Sequence, residues 1–217
     1  MNFSTTTTIL DQGWVIRVKP AQNNRPRRLM LMVHGWTGDE NSMGVFQKGL
    51  PDDYVIISPR GYVESEEGGY GWVAHQDGVD ATLESFRKPA EKIYASMEHW
   101  KKLTQVENTP ITLMGFSQGA ALILSFALFY PDLVKKVVSM AGFLPHLPVD
   151  FNFSPQLKNI GFFIAHGTKD PTVNINRAYQ ARDILQAKGA EVRFCEDSVG
   201  HRLSANCFKG IREFLKE

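Results

Sequence analysis

The chain has 217 residues, with 24 Lys and Arg against 23 Asp and Glu and a formal net charge of +1. That length supports one domain, residues 1–217, around a single sizeable core, and a near-neutral balance without a basic block excludes the electrostatic footprint of a nucleic-acid binder. Two cysteines, Cys195 and Cys207, are too few for a disulfide framework and no Cys/His cluster offers metal-ligand spacing, so both are expected to be reduced, small and mostly buried.

The opening residues, Met1-Asn2-Phe3-Ser4 and four threonines, carry neither a basic nor an apolar leader, and a cytoplasmic protein is expected. The longest apolar region, 111–134, is broken by Ser117, Gln118, Gly119, Pro131 and Asp132. It reads as a buried helix, so stable membrane insertion is not expected. The partner expected is a small neutral or weakly charged molecule, and the oligomeric state, monomer or homodimer, is left open.

In chain order, residues 5–10 and 14–19 are β-rich runs separated by Asp11-Gln12-Gly13, a hairpin signal for an antiparallel edge. A polar turn at 23–26 precedes the apolar run 29–33, which suits a strand buried on both faces. After His34-Gly35-Trp36-Thr37-Gly38-Asp39, a short helix is expected over 41–48 and a second buried strand over 54–58. Residues 59–76, rich in Gly, Glu and aromatics, show no helical or strand period and read as a long loop. Residues 78–103 have an amphipathic helical stripe that Pro89 should kink or interrupt.

The apolar run 111–116 then meets Ser117, with Gly115 and Gly119 on either side, and an apolar helical run follows. Residues 134–140 read as another strand and 142–159 as an irregular, proline-spaced stretch. Residues 160–165 form a strand delivering His166-Gly167-Thr168-Lys169-Asp170, 173–188 a helix, and 191–195 a last strand leading to Gly200-His201. The closing helix covers 204–216, with Ser204 as N-cap. Strands alternating with helices imply a mostly parallel sheet covered on both faces, behind an N-terminal antiparallel hairpin.

In such a sheet, ligands bind beyond the carboxyl ends of the strands, and the stretches around Trp36, Ser117, Asp170 and His201 each follow a predicted strand. Ser117 is the candidate nucleophile, because a sharp strand-to-helix turn lifts its hydroxyl clear and only glycine fits where backbone crowds backbone. A serine hydroxyl needs a base. Of the six histidines, His75, His99 and His146 read as surface residues, and His34 and His166 as braces for turns. His201 is the candidate base. Asp170 is the carboxylate that would fix its tautomer, with helix capping near Thr172 as the alternative role. The backbone N–H groups of Gln118 and Trp36 are the expected oxyanion donors.

These motifs resemble the α/β-hydrolase carboxylesterases, a family that includes acyl-protein thioesterases and small bacterial phospholipase/carboxylesterases. The resemblance rests on His34-Gly35-Trp36-Thr37-Gly38-Asp39, Gly115-Phe116-Ser117-Gln118-Gly119, His166-Gly167-Thr168-Lys169-Asp170-Pro171 and Gly200-His201, in the chain order nucleophile, acid, base. It implies an α/β-hydrolase fold and hydrolysis of carboxylic esters through an acyl-enzyme, without cofactor or metal. A thioesterase or lysophospholipase using the same triad is the enzymatic alternative, and a ligand-binding protein on a hydrolase scaffold the non-enzymatic one. Trp36 stands where the thioesterases carry a smaller aliphatic residue, and residues 61–75 depart from their substrate-groove pattern. With no more than 142–159 available for a lid, no large cap domain is expected. The cleft should be open, walled by Trp36, Tyr70, Trp72, Phe143 and Leu144, and suited to short- or medium-chain acyl groups.

Overall fold

The structure, a computed structural model, describes residues 5–22, 27–74, 81–106 and 109–217. The expected turn at 23–26, His75 and the first residues of the expected 78–103 helix lie outside them.

The chain opens with β1 (Thr7–Asp11) and β2 (Trp14–Lys19), an antiparallel pair closed by Gln12 and Gly13, both at positive φ, as a tight two-residue hairpin requires. Next come β3 (Arg28–Val33) and β4 (Tyr54–Pro59), then a small hairpin of β5 (Val63–Glu64) and β6 (Tyr70–Gly71). The rest alternates: α1 (Arg87–Thr104), β7 (Ile111–Phe116), α2 (Gln118–Phe129), β8 (Val134–Met140), β9 (Gly161–Gly167), α3 (Ile175–Ala187), β10 (Glu191–Asp197) and α4 (Ala205–Lys216). Eight strands form one sheet in the order β1-β2-β4-β3-β7-β8-β9-β10. From β4 to β10 all pairs are parallel, while β2 joins β4 antiparallel.

The apolar runs are continuous because both sheet faces are covered, and their alternate residues divide between two cores. Leu31, Ile57, Leu113 and Val137 face α1, α2 and α3, packing with Ile93, Trp100, Leu122, Phe126 and Leu185. Met30, Met32, Ile56, Met114 and Val138 face the other way, onto Ile211, Phe214 and Leu215 of α4. Helix α2 is buried all round, and its Ser125 hydroxyl is satisfied by donating to the Ala121 carbonyl at 2.8 Å.

Four expectations need correction. Helix α1 starts at Arg87, so Pro89 lies in its first turn, where a missing N–H costs no intrahelical bond; the proline marks the start of the helix rather than a kink. The expected helix over 41–48 is a 3-10 turn, Ser42–Phe46, and the 59–76 loop holds the β5–β6 hairpin. The cysteines are not reduced: Cys195 in β10 and Cys207 in the first turn of α4 form a disulfide, with Cα atoms 5.6 Å apart.

Candidate functional site

Ser117 sits between β7 and α2 at φ 53° and ψ −120°, a backbone state that L-residues rarely adopt. The surrounding structure holds it there. Its N–H donates to the Met140 carbonyl at 2.9 Å, and its own carbonyl accepts from Ala120 and Ala121. The glycines on either side are sterically required: a Cβ on Gly115 would lie 2.6 Å from the Gly119 carbonyl oxygen, and one on Gly119 would lie 2.3 Å from the carbonyl oxygens of Val33 and His34. The same crowding brings the loop after β3 against the turn. A Cβ on Gly35 would meet the Phe116 carbonyl oxygen and Ser117 Cβ at 3.2 Å, so Gly35 and Trp36 run beside the elbow.

That loop is fastened by polar side chains, with His34 bracing the turn as expected. His34 is buried; its Nδ1 donates to the Gly35 carbonyl at 2.7 Å and its Nε2 accepts from the Gly61 amide at 2.8 Å, fixing the neutral tautomer. Burial holds its pKa below the ordinary value. Glu40, itself buried, takes a two-pronged grip from Arg60 at 2.7 and 3.0 Å. The Gln118 side chain accepts from the Trp72 amide at 2.8 Å and donates to the Val73 carbonyl at 2.9 Å, tying the β6 loop to the elbow. A polar amide at the first position of an otherwise apolar helix was the signal for this clamp.

Asp170 follows β9, and its two carboxylate oxygens divide the two roles that its sequence context left open. Oδ1 accepts from the amides of Thr172 and Val173 at 2.8 and 2.9 Å, while Oδ2 lies 2.7 Å from His201 Nδ1. Burial alone would push this carboxyl up, but the Val173 amide, His201 and the Thr172 amide together hold it below the ordinary carboxylate range. The His201 ring packs on Phe116, with centroids 5.0 Å apart. Beneath Asp170 lies a second imidazole: the fully buried side chain of His166 donates from Nε2 to the Val173 carbonyl at 2.8 Å and lies 3.4 Å from Asp170 Oδ2. It braces the turn, as expected.

The five predicted wall residues separate. Trp36 is half-buried, with Val63, Glu64, Ser65, Glu66, Glu67 and Ala74 around a cavity of about 410 Å³. Tyr70 is half-buried under the Arg60 guanidinium, 4.8 Å from its ring centroid, and Phe143 lies 4.8 Å from that of Arg177. Trp72 is a correction. It is 1 % exposed, donates its indole N–H to the His34 carbonyl and packs on Trp14, so it belongs to the core. Leu144 is also in the core, although its carbonyl faces Arg177. No helix among the described residues is long and apolar enough to cross a membrane.

In family and fold the chain is similar to known hydrolases. The phospholipase/carboxylesterase family profile matches residues 17–217. Over 211 residues the chain is 25% identical to the esterase YpfH of Escherichia coli K12, covering 91% of this chain and 84% of that protein. It is 27% identical to acyl-protein thioesterase 1 of Neurospora crassa over 154 residues, 64% of this chain and 62% of that one. The fold matches a carboxylesterase from Mesorhizobium loti at TM-score 0.84 with 20% identity, covering 98% and 99% of the two chains. The Bacillus cereus carboxylesterase matches at TM-score 0.84 with 18% identity, covering 95% of each. The architecture is thus the α/β-hydrolase fold, and among the described residues no large cap stands over the sheet.

Proposed function

Because the chain belongs to the phospholipase/carboxylesterase family, we propose that it is a serine carboxylesterase acting on short- to medium-chain esters, with Ser117, Asp170 and His201 as its triad. The observation that carries this reading is the 2.7 Å contact of Asp170 Oδ2 with His201 Nδ1, on an imidazole that packs against the residue preceding a serine at positive φ. In this mechanism His201 Nε2 takes the Ser117 proton as Oγ attacks the ester carbonyl, and Asp170 stabilises the imidazolium. The charge on the tetrahedral oxygen falls to the backbone N–H groups of Gln118, at the positive end of α2, and Trp36. His201 then returns the proton to the leaving alcohol, and a water repeats the sequence to release the acid. No cofactor enters any of these steps.

A thioester substrate would use the same residues, and the likeness to a thioesterase favours testing it. The bulk of Trp36 beside the elbow favours small acyl groups instead. Side-by-side rates on p-nitrophenyl butyrate, butyryl-CoA and a lysophospholipid discriminate: the oxygen ester should lead in kcat/KM. A fluorophosphonate probe should label Ser117, and wild-type protein that neither labels nor hydrolyses any of the three would return the site to a binding role.

In this reading residues 1–217 make one catalytic domain acting on a small ester. A cytoplasmic setting has a consequence, since thiols are kept reduced there. Because the structure pairs Cys195 with Cys207, thiol trapping in intact cells decides the setting: unpaired thiols support the cytoplasm, and a trapped disulfide argues for another compartment.

A further inference from the structure

His201 stands in a loop, 198–204, that must satisfy partners on two sides at once. Its first half is tied to the Asp170 loop through backbone. Thr168 N–H donates to the Asp197 carbonyl at 2.8 Å and Lys169 N–H to the Val199 carbonyl at 3.0 Å, and a Cβ on Gly167 would lie 2.2 Å from the Val199 oxygen. The second half, from His201 to Ser204, leaves that support and enters α4. There the Ser204 hydroxyl accepts from the Cys207 amide at 3.0 Å, and Phe208 packs near Phe46 with ring centroids 6.5 Å apart.

The disulfide joins the two feet of this loop. Cys195 lies two residues inside the end of β10 and Cys207 in the first turn of α4, so the covalent ring closed by the bond contains His201. Cys207 is fully buried, whereas Cys195 is half-buried on β10, the last strand of the sheet. The bond therefore sets the span between the strand that carries the loop in and the helix that carries it out. Helix α4 has further anchorage through Ile211, Phe214 and Leu215, which share one buried cluster with Cys207 and pack against the sheet without needing the covalent bond.

We propose that Cys195 and Cys207 are positioning residues for His201, so that the pair, once joined, holds the imidazole in line with Asp170 and, once reduced, lets it drift while the fold stays intact. This rests on the triad reading above. Reduction by a phosphine breaks the S–S bond, delivering two electrons and, with water, the two thiol protons, while the phosphine leaves as its oxide. Displacements of about 1 Å at a catalytic group cost up to about 100-fold in rate, so the reduced protein should lose about 10- to 100-fold in kcat with KM nearly unchanged.

The test compares the oxidised wild type, the phosphine-reduced wild type and Cys195→Ser/Cys207→Ala, using p-nitrophenyl butyrate kinetics, circular dichroism and the downfield proton NMR signal of the His201 Nδ1–H. The expected result is the same for both uncrosslinked forms. They stay folded, lose kcat but not KM, and broaden the downfield proton. Equal kcat and downfield signal in all three forms would overturn the proposal. So would activity losses that merely track unfolding in both uncrosslinked forms. An oxidised wild type inert to every ester would sink the esterase reading instead, and the downfield proton would still report whether the bond orders the imidazole.

Discussion

The ring of Phe116 supports the ring of His201, with centroids 5.0 Å apart and planes inclined at 56°. The residue immediately before the candidate nucleophile thus carries the candidate base, and strand β7 delivers two parts of the site rather than one. Replacing Phe116 with Ala removes that support without touching a polar group of the proposed triad. The expected result is a fall in kcat of about tenfold or more, read on p-nitrophenyl butyrate, with Ser117 still labelled by fluorophosphonate but more slowly.

Ser117→Ala should reduce turnover of the same ester by about 10⁴-fold or more, since members of a triad act as a unit. Thermal stability should stay close to wild type, because Ala keeps the Cβ and the same positive-φ backbone and removes only the hydroxyl. Residual turnover within tenfold of wild type would remove Ser117 from the mechanism.

Asp170→Asn keeps the shape but gives His201 Nδ1 a donor in place of an acceptor on one rotamer, and about 10⁴-fold in kcat should be lost. It should also change acid stability. The folded carboxyl has a depressed pKa, so its contribution is fully present above its unfolded value, near 3.8, and is lost as pH falls through the lower folded value. Urea unfolding followed from pH 5 downward should fall less steeply for the Asn variant than for the wild type.

The buried histidines carry the same sign of linkage at a higher pH. His34 and His166 have pKa values lowered by burial from 6.5, so the unfolded chain binds more protons just below that pH. Their contribution is complete above pH 6.5 and declines as pH falls toward the folded values. His166→Gln should flatten the loss of stability between about pH 6.5 and 5 relative to wild type, at the cost of lower stability at pH 8.

Gln118→Ala leaves the backbone N–H at the head of α2 but releases both hydrogen bonds that hold Trp72 and Val73. A loss of about 1–3 kcal/mol in stability is expected from the two amide groups left without partners. KM should rise several-fold while kcat changes less, separating a loop clamp from an oxyanion donor.

Much of this was readable from residue order. The runs 29–33, 54–58 and 111–116 are apolar without alternation, as strands buried on both faces must be, and the structure places β3, β4 and β7 there side by side. The candidates Ser117 and Asp170 were picked because each follows such a run, and His201 because it follows the last, mixed strand; the ends of parallel strands converge on one edge of the sheet. The disulfide was missed because a pair separated by 12 residues, in a chain with no other cysteines, carries no framework pattern. Its signal lay in the element boundaries, with one cysteine close before the His201 loop and the other close after it. Trp72 was misjudged because an aromatic residue in a glycine-rich loop looks exposed. Its burial depends on the Gln118 and His34 contacts, which lie 46 and 38 residues away along the chain.

Finally, the six-membered ring of the Trp36 indole rests where a side chain on Gly71 would be, with Cε3 2.1 Å from the position a Cβ would take. Bulk at 36 and emptiness at 71 are therefore one decision recorded at two positions. Trimming the indole to widen the proposed acyl site would leave a hole over bare backbone unless 71 were enlarged in the same variant, and enlarging 71 alone would evict the indole. Libraries aimed at longer acyl chains should vary the two codons as a pair.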